Sequence, residues 1–320
     1  MKLSRFIAVL LAVCMAATLL TGCSASSAVM KIDGKKVPAG YYIYYYSNTY
    51  ANYGSTYSDE AIANQTMQEV VTYYVVEKLC EEYGLELVAL ERKAVLDSIT
   101  EQISQMGGNS AFKTFLSKMQ LSKKQFQNLM YNSYKKDKLK SYLFDAETGT
   151  EKPTTEACYE LFLEHYCSAT HILISTQKAE SQEDYDAALA RAEEVLARAK
   201  AGEDFVKLAD EYNEDTAQDN SVGMLFPEGY MVKAFEDAAF ALEEGEISDI
   251  VQTPYGYHII KRNPISLEMY EQYHDSFYSY AENYFFQERL GEVADTLDIQ
   301  VLDAMSKLDL TDALLFVMGY

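Results

Sequence analysis

The first strong pattern along the chain is a run from Phe6 to Leu20, apolar but for Thr18 and preceded by Lys2 and Arg5. It is short for a membrane span and fits the core of a secretory leader. Beyond it the pattern becomes amphipathic. "MKIDGKKVP" (30–38) reads as a hairpin around an Asp33-Gly34 turn, with a helix starting after Pro38. Ile62, Val70, Val71, Tyr74, Leu79 and Tyr83 recur at near-helical spacing and predict a long helix over about 59–83, stopped by Gly84. Further helices are expected over 88–105, 111–119 and 123–144, with Ser122 as the cap of the last. The polar, turn-rich "AETGTEKP" at 146–153 marks a boundary.

The period then changes. In "SATHILIS" (168–175) Ile172 and Ile174 alternate into a core as a strand would. Ser181 is placed to cap a helix whose Leu189, Ala192, Leu196 and Ala199 share a face, ended by Gly202. Phe205, Leu208, Ala209 and Tyr212 mark a second helix, and 233–242 a third. "EISDIVQTPYGYHIIKR" reads as a hairpin turning at Thr253-Pro254-Tyr255-Gly256, and Pro264 closes this α/β unit. From Leu267 the pattern is helical again, rich in aromatics from Tyr270 to Phe285, and too short for a domain of its own. It is expected to join the N-terminal helices in one domain that the α/β unit interrupts.

Charge narrows the classes of partner. The chain has 49 Asp and Glu against 27 Lys and Arg, a net charge of −22. Loss of Lys2 and Arg5 with a leader would leave 25 against 49, or −24. Such a surface repels nucleic acid and anionic lipid, and favours cationic or unfolded polypeptides. Of five cysteines, Cys14 lies within the leader. Cys80, Cys158 and Cys167 are too few for a closed disulfide framework and read as buried small hydrophobes, or at most one bridge. No spacing suggests a metal site, and no cofactor motif is present.

The leader ends in Leu20-Thr21-Gly22-Cys23, which resembles the lipobox of bacterial lipoproteins. That resemblance implies a signal peptide over 1–22, lipidation at Cys23, a tether over 23–29, and attachment to the outer face of the cell membrane through acyl chains.

Four histidines are present, and two of them lead into apolar strands: His171 in "SATHILIS" and His258 in "YGYHIIKR". A lone histidine there would ordinarily be a core residue whose ring nitrogens find backbone partners. The repeat suggests a pair on adjacent strands. His165 and His274 lie outside these runs and are expected at the surface.

Taken in order, "ATHILI" (169–174), "AGEDFVKLADEYNED" (201–215), "YMVKAFEDAAFALEEGEIS" (230–248) and "YGYHIIKR" (255–262) resemble the parvulin peptidyl-prolyl cis-trans isomerases. With the lipobox and the flanking helices, the whole layout resembles the extracytoplasmic foldase lipoproteins of the PrsA type, whose helical chaperone domain is related to that of SurA. The fold class implied is α+β: a parvulin-like unit at 168–263, with a small antiparallel sheet and flanking helices, inserted in a mainly helical chaperone domain formed by 30–150 and 267–320. The implied activity is isomerisation of X-Pro bonds in unfolded or newly secreted polypeptides. It needs neither metal nor cofactor.

By the same resemblance His171 and His258 are paired histidines sharing a proton at the centre of the site, and Asp215 stands at the family's aspartate or cysteine position. Met231 and Phe235, spaced as on one helix face, match the proline pocket, with Leu225 or Phe226 completing it. One departure concerns "NSVGMLF" (220–226), which lacks the family's glycine-rich loop and is one or two residues shorter, so the pocket is expected to differ in shape. The alternative is a non-catalytic holdase in which this unit is a scaffold. Eight tyrosines between Tyr41 and Tyr57 would feed that reading, or a carbohydrate-binding one, if they formed a surface rather than packing on the tail helices.

Overall fold

The computed structural model describes residues 27–319. The expected leader, Cys23 and most of the expected tether lie outside the described residues. Among those described, no helix is long and apolar enough to cross a membrane.

The described residues form two compact units, one holding those up to Lys152 and from Glu282 onward, the other spanning Pro153–Ala281. In the first, the hairpin β1 (Ala28–Ile32) and β2 (Lys35–Pro38) turns through Asp33 and Gly34, both at positive φ. It is followed by helices α1 (Ala39–Tyr53), α2 (Asp59–Glu82), α3 (Ala89–Gln105), α4 (Asn109–Lys118) and α5 (Lys123–Phe144). Ser122 caps α5 reciprocally with Gln125, each side chain answering the other's backbone N–H at 3.2 and 2.8 Å. Tyr41, Tyr42 and Tyr46 are buried with Val70, Val71, Leu79, Phe126 and Leu139, while Tyr53 and Tyr57 stay exposed. Tyr44, Tyr45 and Tyr50 pack partly buried against the same core, so six of the eight tyrosines of the run are engaged in packing.

The second unit begins with α6 (Thr155–His165), a helix that the sequence pattern did not suggest, and runs into the ten-residue strand β3 (Tyr166–Ser175). Then come α7 (Gln182–Lys200), α8 (Phe205–Tyr212), β4 (Met224–Pro227), α9 (Lys233–Ala241), and the hairpin β5 (Val251–Thr253) and β6 (Gly256–Asn263). The strands form an antiparallel sheet in the order β4-β3-β6-β5. Segment 224–227, read as part of a loop, is thus an edge strand. Gly223 allows it: at φ +77°, a Cβ there would lie 2.6 Å from the Ala169 carbonyl oxygen.

Each face of this sheet carries its own core, as alternation along β3 and β6 requires. Ile172, Ile174, Tyr257 and Ile259 pack with Ala192, Val195, Phe205 and Leu208 of α7 and α8. Cys167, Ala169 and Ile260 pack on the other side with Phe226, Phe235 and Ala239.

Helix α10 (Leu267–Ala294) begins in the second unit and ends in the first. Its early aromatics do not join the N-terminal helices as expected. Tyr270 and Phe277 instead pack edge-on against Phe162 of α6, with ring centroids 5.3 and 5.0 Å away. Only later residues such as Phe286 and Leu290 enter the first core. The unit around the four-stranded sheet is accordingly wider than 168–263 at both ends. The chain closes with β7 (Ile299–Val301), which pairs antiparallel with β1, and α11 (Thr311–Val317), which packs on α1. Cys80, Cys158 and Cys167 are buried and free.

Candidate active site

Strands β3 and β6 pair with His171 opposite Ile260 and Leu173 opposite His258. Both imidazoles therefore project from the same face as Ala169 and Ile260, diagonal neighbours across adjacent strands. His171 is 2% exposed and His258 5%. His171 sits mid-strand rather than at the strand's mouth, because β3 starts five residues earlier.

The rings are 5.2 Å apart between centroids at 67°. Neither nitrogen of His171 nor Nδ1 of His258 has a hydrogen-bond partner, so the rings do not share a proton as expected. They meet edge to face instead. His258 Nε2 lies 2.8 Å from the Thr253 hydroxyl, which also accepts the Tyr255 N–H at 3.1 Å. His171 Nε2 lies 3.3 Å from Asp215 Oδ2, within ion-pair reach but off the line of a hydrogen bond. Asp215 is held by its other oxygen, which accepts the Ala217 N–H at 2.9 Å.

Burial sets the charge of the pair. Removal from water disfavours the imidazolium and pushes His171 below the ordinary histidine value, partly offset by the Asp215 carboxylate. His258 is pushed down to about 4, first by burial and then by repulsion from His171. Burial thus favours the neutral form of both rings, each with an unpartnered nitrogen. An ordinary core histidine has its nitrogens answered.

Phe235 closes the group. Its ring centroid is 5.2 Å from that of His171, 5.3 Å from that of His258 and 6.0 Å from that of Phe226, each in an angled contact. Met224 and Met231 are partly buried against the same cluster. Two expectations change here. Met231 lies in the turn before α9 rather than on the helix face it was thought to share with Phe235. Leu225 occupies the face of β4 opposite to Phe226, and by strand alternation Met224 takes the place expected for it.

Outside this cluster, His165 is not simply a surface residue. Its Nδ1 lies 3.1 Å from Glu228 Oε2 and its Nε2 3.1 Å from the Tyr280 hydroxyl. His274 is more open and contacts Asp275 at 3.0 Å.

Thr253 and Gln218 were not found from sequence. Thr253 had a signal: with Val251 paired to His258, a residue two further along β5 falls on the same face. Gln218 had none, since it reaches the site from a loop. Among the described residues no group of three or more His, Cys, Asp or Glu could hold a metal ion.

The family model for the PPIC-type PPIase domain, or rotamase, matches residues 171–263, the span that holds both histidines, Asp215 and Phe235. The chain is 46% identical over 95 residues to the foldase protein PrsA of Geobacillus kaustophilus, a match covering 29% of this chain and 30% of that one. The crystal structure of PrsA from Bacillus cereus is similar at 21% identity and a TM-score of 0.36, covering 92% of this chain and 99% of that chain. The foldase protein PrsA of Caldanaerobacter subterraneus is 30% identical over 234 residues, covering 68% of this chain and 72% of that protein. The chain belongs to the PrsA foldase family, and its residues 171–263 are a peptidyl-prolyl isomerase domain of the PPIC type.

Proposed function

We propose that the chain is a lipid-anchored foldase on the outer face of the cell membrane, where it isomerises X-Pro bonds in newly secreted polypeptides at the His171–His258–Phe235 cluster. The observation that carries this reading is an apolar seat of Phe235, Phe226, Met224 and Met231 placed against two buried imidazoles with unpartnered nitrogens.

The chemistry asks for little more. An X-Pro bond isomerises over tens of seconds unaided because twisting it breaks amide resonance. No covalent bond breaks and no electron moves, so neither metal nor cofactor enters. A site that seats the proline ring away from water and presents fixed polar groups to the twisted amide favours the transition state over either planar form. Neutral imidazoles suit this, since they add no charge that would have to be solvated as the amide turns. In this reading Phe235, Met231 and Phe226 receive the ring, with Met224 in place of Leu225, and His171, His258 and Asp215 face the turning amide.

Charge supports the client class. Residues 153–281 carry 26 Asp and Glu against 8 Lys and Arg, so the isomerase unit holds most of the chain's negative excess. Nucleic acid is disfavoured as a partner, and cationic segments are drawn in. Tetrapeptides with lysine before proline should give a kcat/KM roughly 3- to 10-fold above the glutamate equivalent at low salt, with the gap closing in 0.5 M salt. Assayed with the full chain, a conversion no faster than buffer would overturn the isomerase site and leave a holdase built on the helical unit. For the anchor, Cys23→Ser should abolish incorporation of an acyl label; a variant that still takes the label has another attachment.

A further inference from the structure

Strand β3 loses its neighbour at Ala169, where pairing with β4 ends. Further along that edge the backbone groups of His171, Leu173 and Ser175 need other partners. Loop residues supply them. Asn213 Oδ1 accepts the Leu173 N–H at 2.9 Å, the Glu214 N–H donates to the Leu173 carbonyl at 2.9 Å, and Glu214 Oε2 accepts the Ser175 N–H at 2.8 Å. At His171 a single side chain does both tasks: Gln218 Oε1 accepts the His171 N–H at 3.0 Å and its Nε2 donates to the His171 carbonyl at 2.9 Å. The amide thus stands in for a strand partner at the one residue whose ring faces Asp215.

The same amide is tied to the loop that carries Asp215. Gln218 Nε2 also donates to Asn220 Oδ1 at 3.0 Å, and Asn213 Nδ2 donates to that same oxygen at 2.9 Å. Asn213 in turn grips Asp215, accepting its N–H at 3.1 Å and donating to its carbonyl at 3.2 Å. Three amide side chains therefore hold the backbones of His171 and Asp215 in one network, and Gln218 is its buried member, 8% exposed.

We propose that Gln218 is a positioning residue of the isomerase centre, locking the His171 segment of β3 to the loop that presents Asp215. It touches neither the proline seat nor a reacting atom. Its effect comes from geometry, because a reaction that makes no covalent bond depends on polar groups already in place, and a displacement of about an ångström is enough to matter. The inference rests on the assignment of His171 and Asp215 to the site.

The test is a rate cycle in the full chain. Gln218→Met keeps length and volume but removes all three hydrogen bonds of the amide, and Gln218→Glu keeps the acceptor for the His171 N–H while losing the donor. Either should lower kcat about tenfold with KM changed less than about twofold, since the proline seat is untouched. In an Asp215→Ala background the same change should cost less than about twofold more, because the register it protects no longer matters. Ser248→Ala is the control: Ser248 Oγ accepts the Ile260 N–H at 2.9 Å, a bond of the same kind on the other strand, and its loss should leave kcat within about twofold. The inference is overturned if both Gln218 variants keep the parent kcat, if their effect multiplies with that of Asp215→Ala, or if Ser248→Ala slows the reaction as much. An inactive parent chain would overturn the site assignment itself, a result distinct from an active chain that ignores Gln218.

Discussion

Phe235→Ala should cost about 3 to 5 kcal/mol of stability and abolish measurable isomerisation together. The family resemblance placed Phe235 in the wall of the proline pocket. At 2% exposure Phe235 is a core residue as well, wedged among His171, His258 and Phe226. Removing its ring leaves a cavity under both imidazoles, and the surrounding strands can close it only partly. Met231 separates the two roles. It is partly buried against the same cluster but lies in the turn before α9, so Met231→Ala should cost no more than about 1 to 2 kcal/mol while lowering kcat/KM several-fold. Denaturant unfolding and a tetrapeptide assay on both variants decide the matter. A Met231→Ala protein with unaltered kcat/KM would remove Met231 from the proline seat, and a Phe235→Ala protein that is stable and active would contradict the packing described here.

The second large effect is expected at Gly256, where β6 leaves the hairpin turn. Its φ of +147° is closed to residues with a side chain, and a Cβ there would sit 2.2 Å from the Ile174 carbonyl oxygen and 2.9 Å from Ser175 Cα. These are backbone atoms of the facing strand, so no rotamer change relieves the clash. Gly256 pairs with both Thr253 and Ser175, at the end of the two central strands. Gly256→Ala should therefore push the hairpin from β3, cost about 3 kcal/mol or more, and displace His258 and Thr253 from their contact. Isomerase activity should fall with it, though the substitution lies outside the proline seat. A melting temperature within a few degrees of the parent would show that the strand ends can part without disturbing the centre.

What the sequence determined follows from local rules. Helical periodicity placed α2, α3 and α5 to within a residue or two, and Ser122 as a cap marked the start of α5. Period-two alternation located β3 and β6, and two histidines entering similar apolar runs were enough to suggest a pair. The apolar run before Cys23, from which a leader and its lipidation are expected, is likewise a local pattern. Each of these signals lies within a few residues of chain, where the periods of 3.6 and 2 operate.

Tertiary structure decided the rest. Whether the histidines share a proton depends on the tilt of two rings across a strand pair, and burial with Phe235 turned them edge to face. Met224 rather than Leu225 faces the cluster because 224–227 pairs as an edge strand, which a four-residue run beside a glycine did not reveal. Gln218 reaches His171 across 47 positions of sequence. Early α10 was drawn to α6 because Phe162 and Tyr270 offered each other aromatic faces, a choice among apolar partners that periodicity cannot rank. Local patterns say which side of an element seeks burial. Only the folded chain says against what, because that choice is made by shape and by hydrogen bonds between segments far apart in sequence.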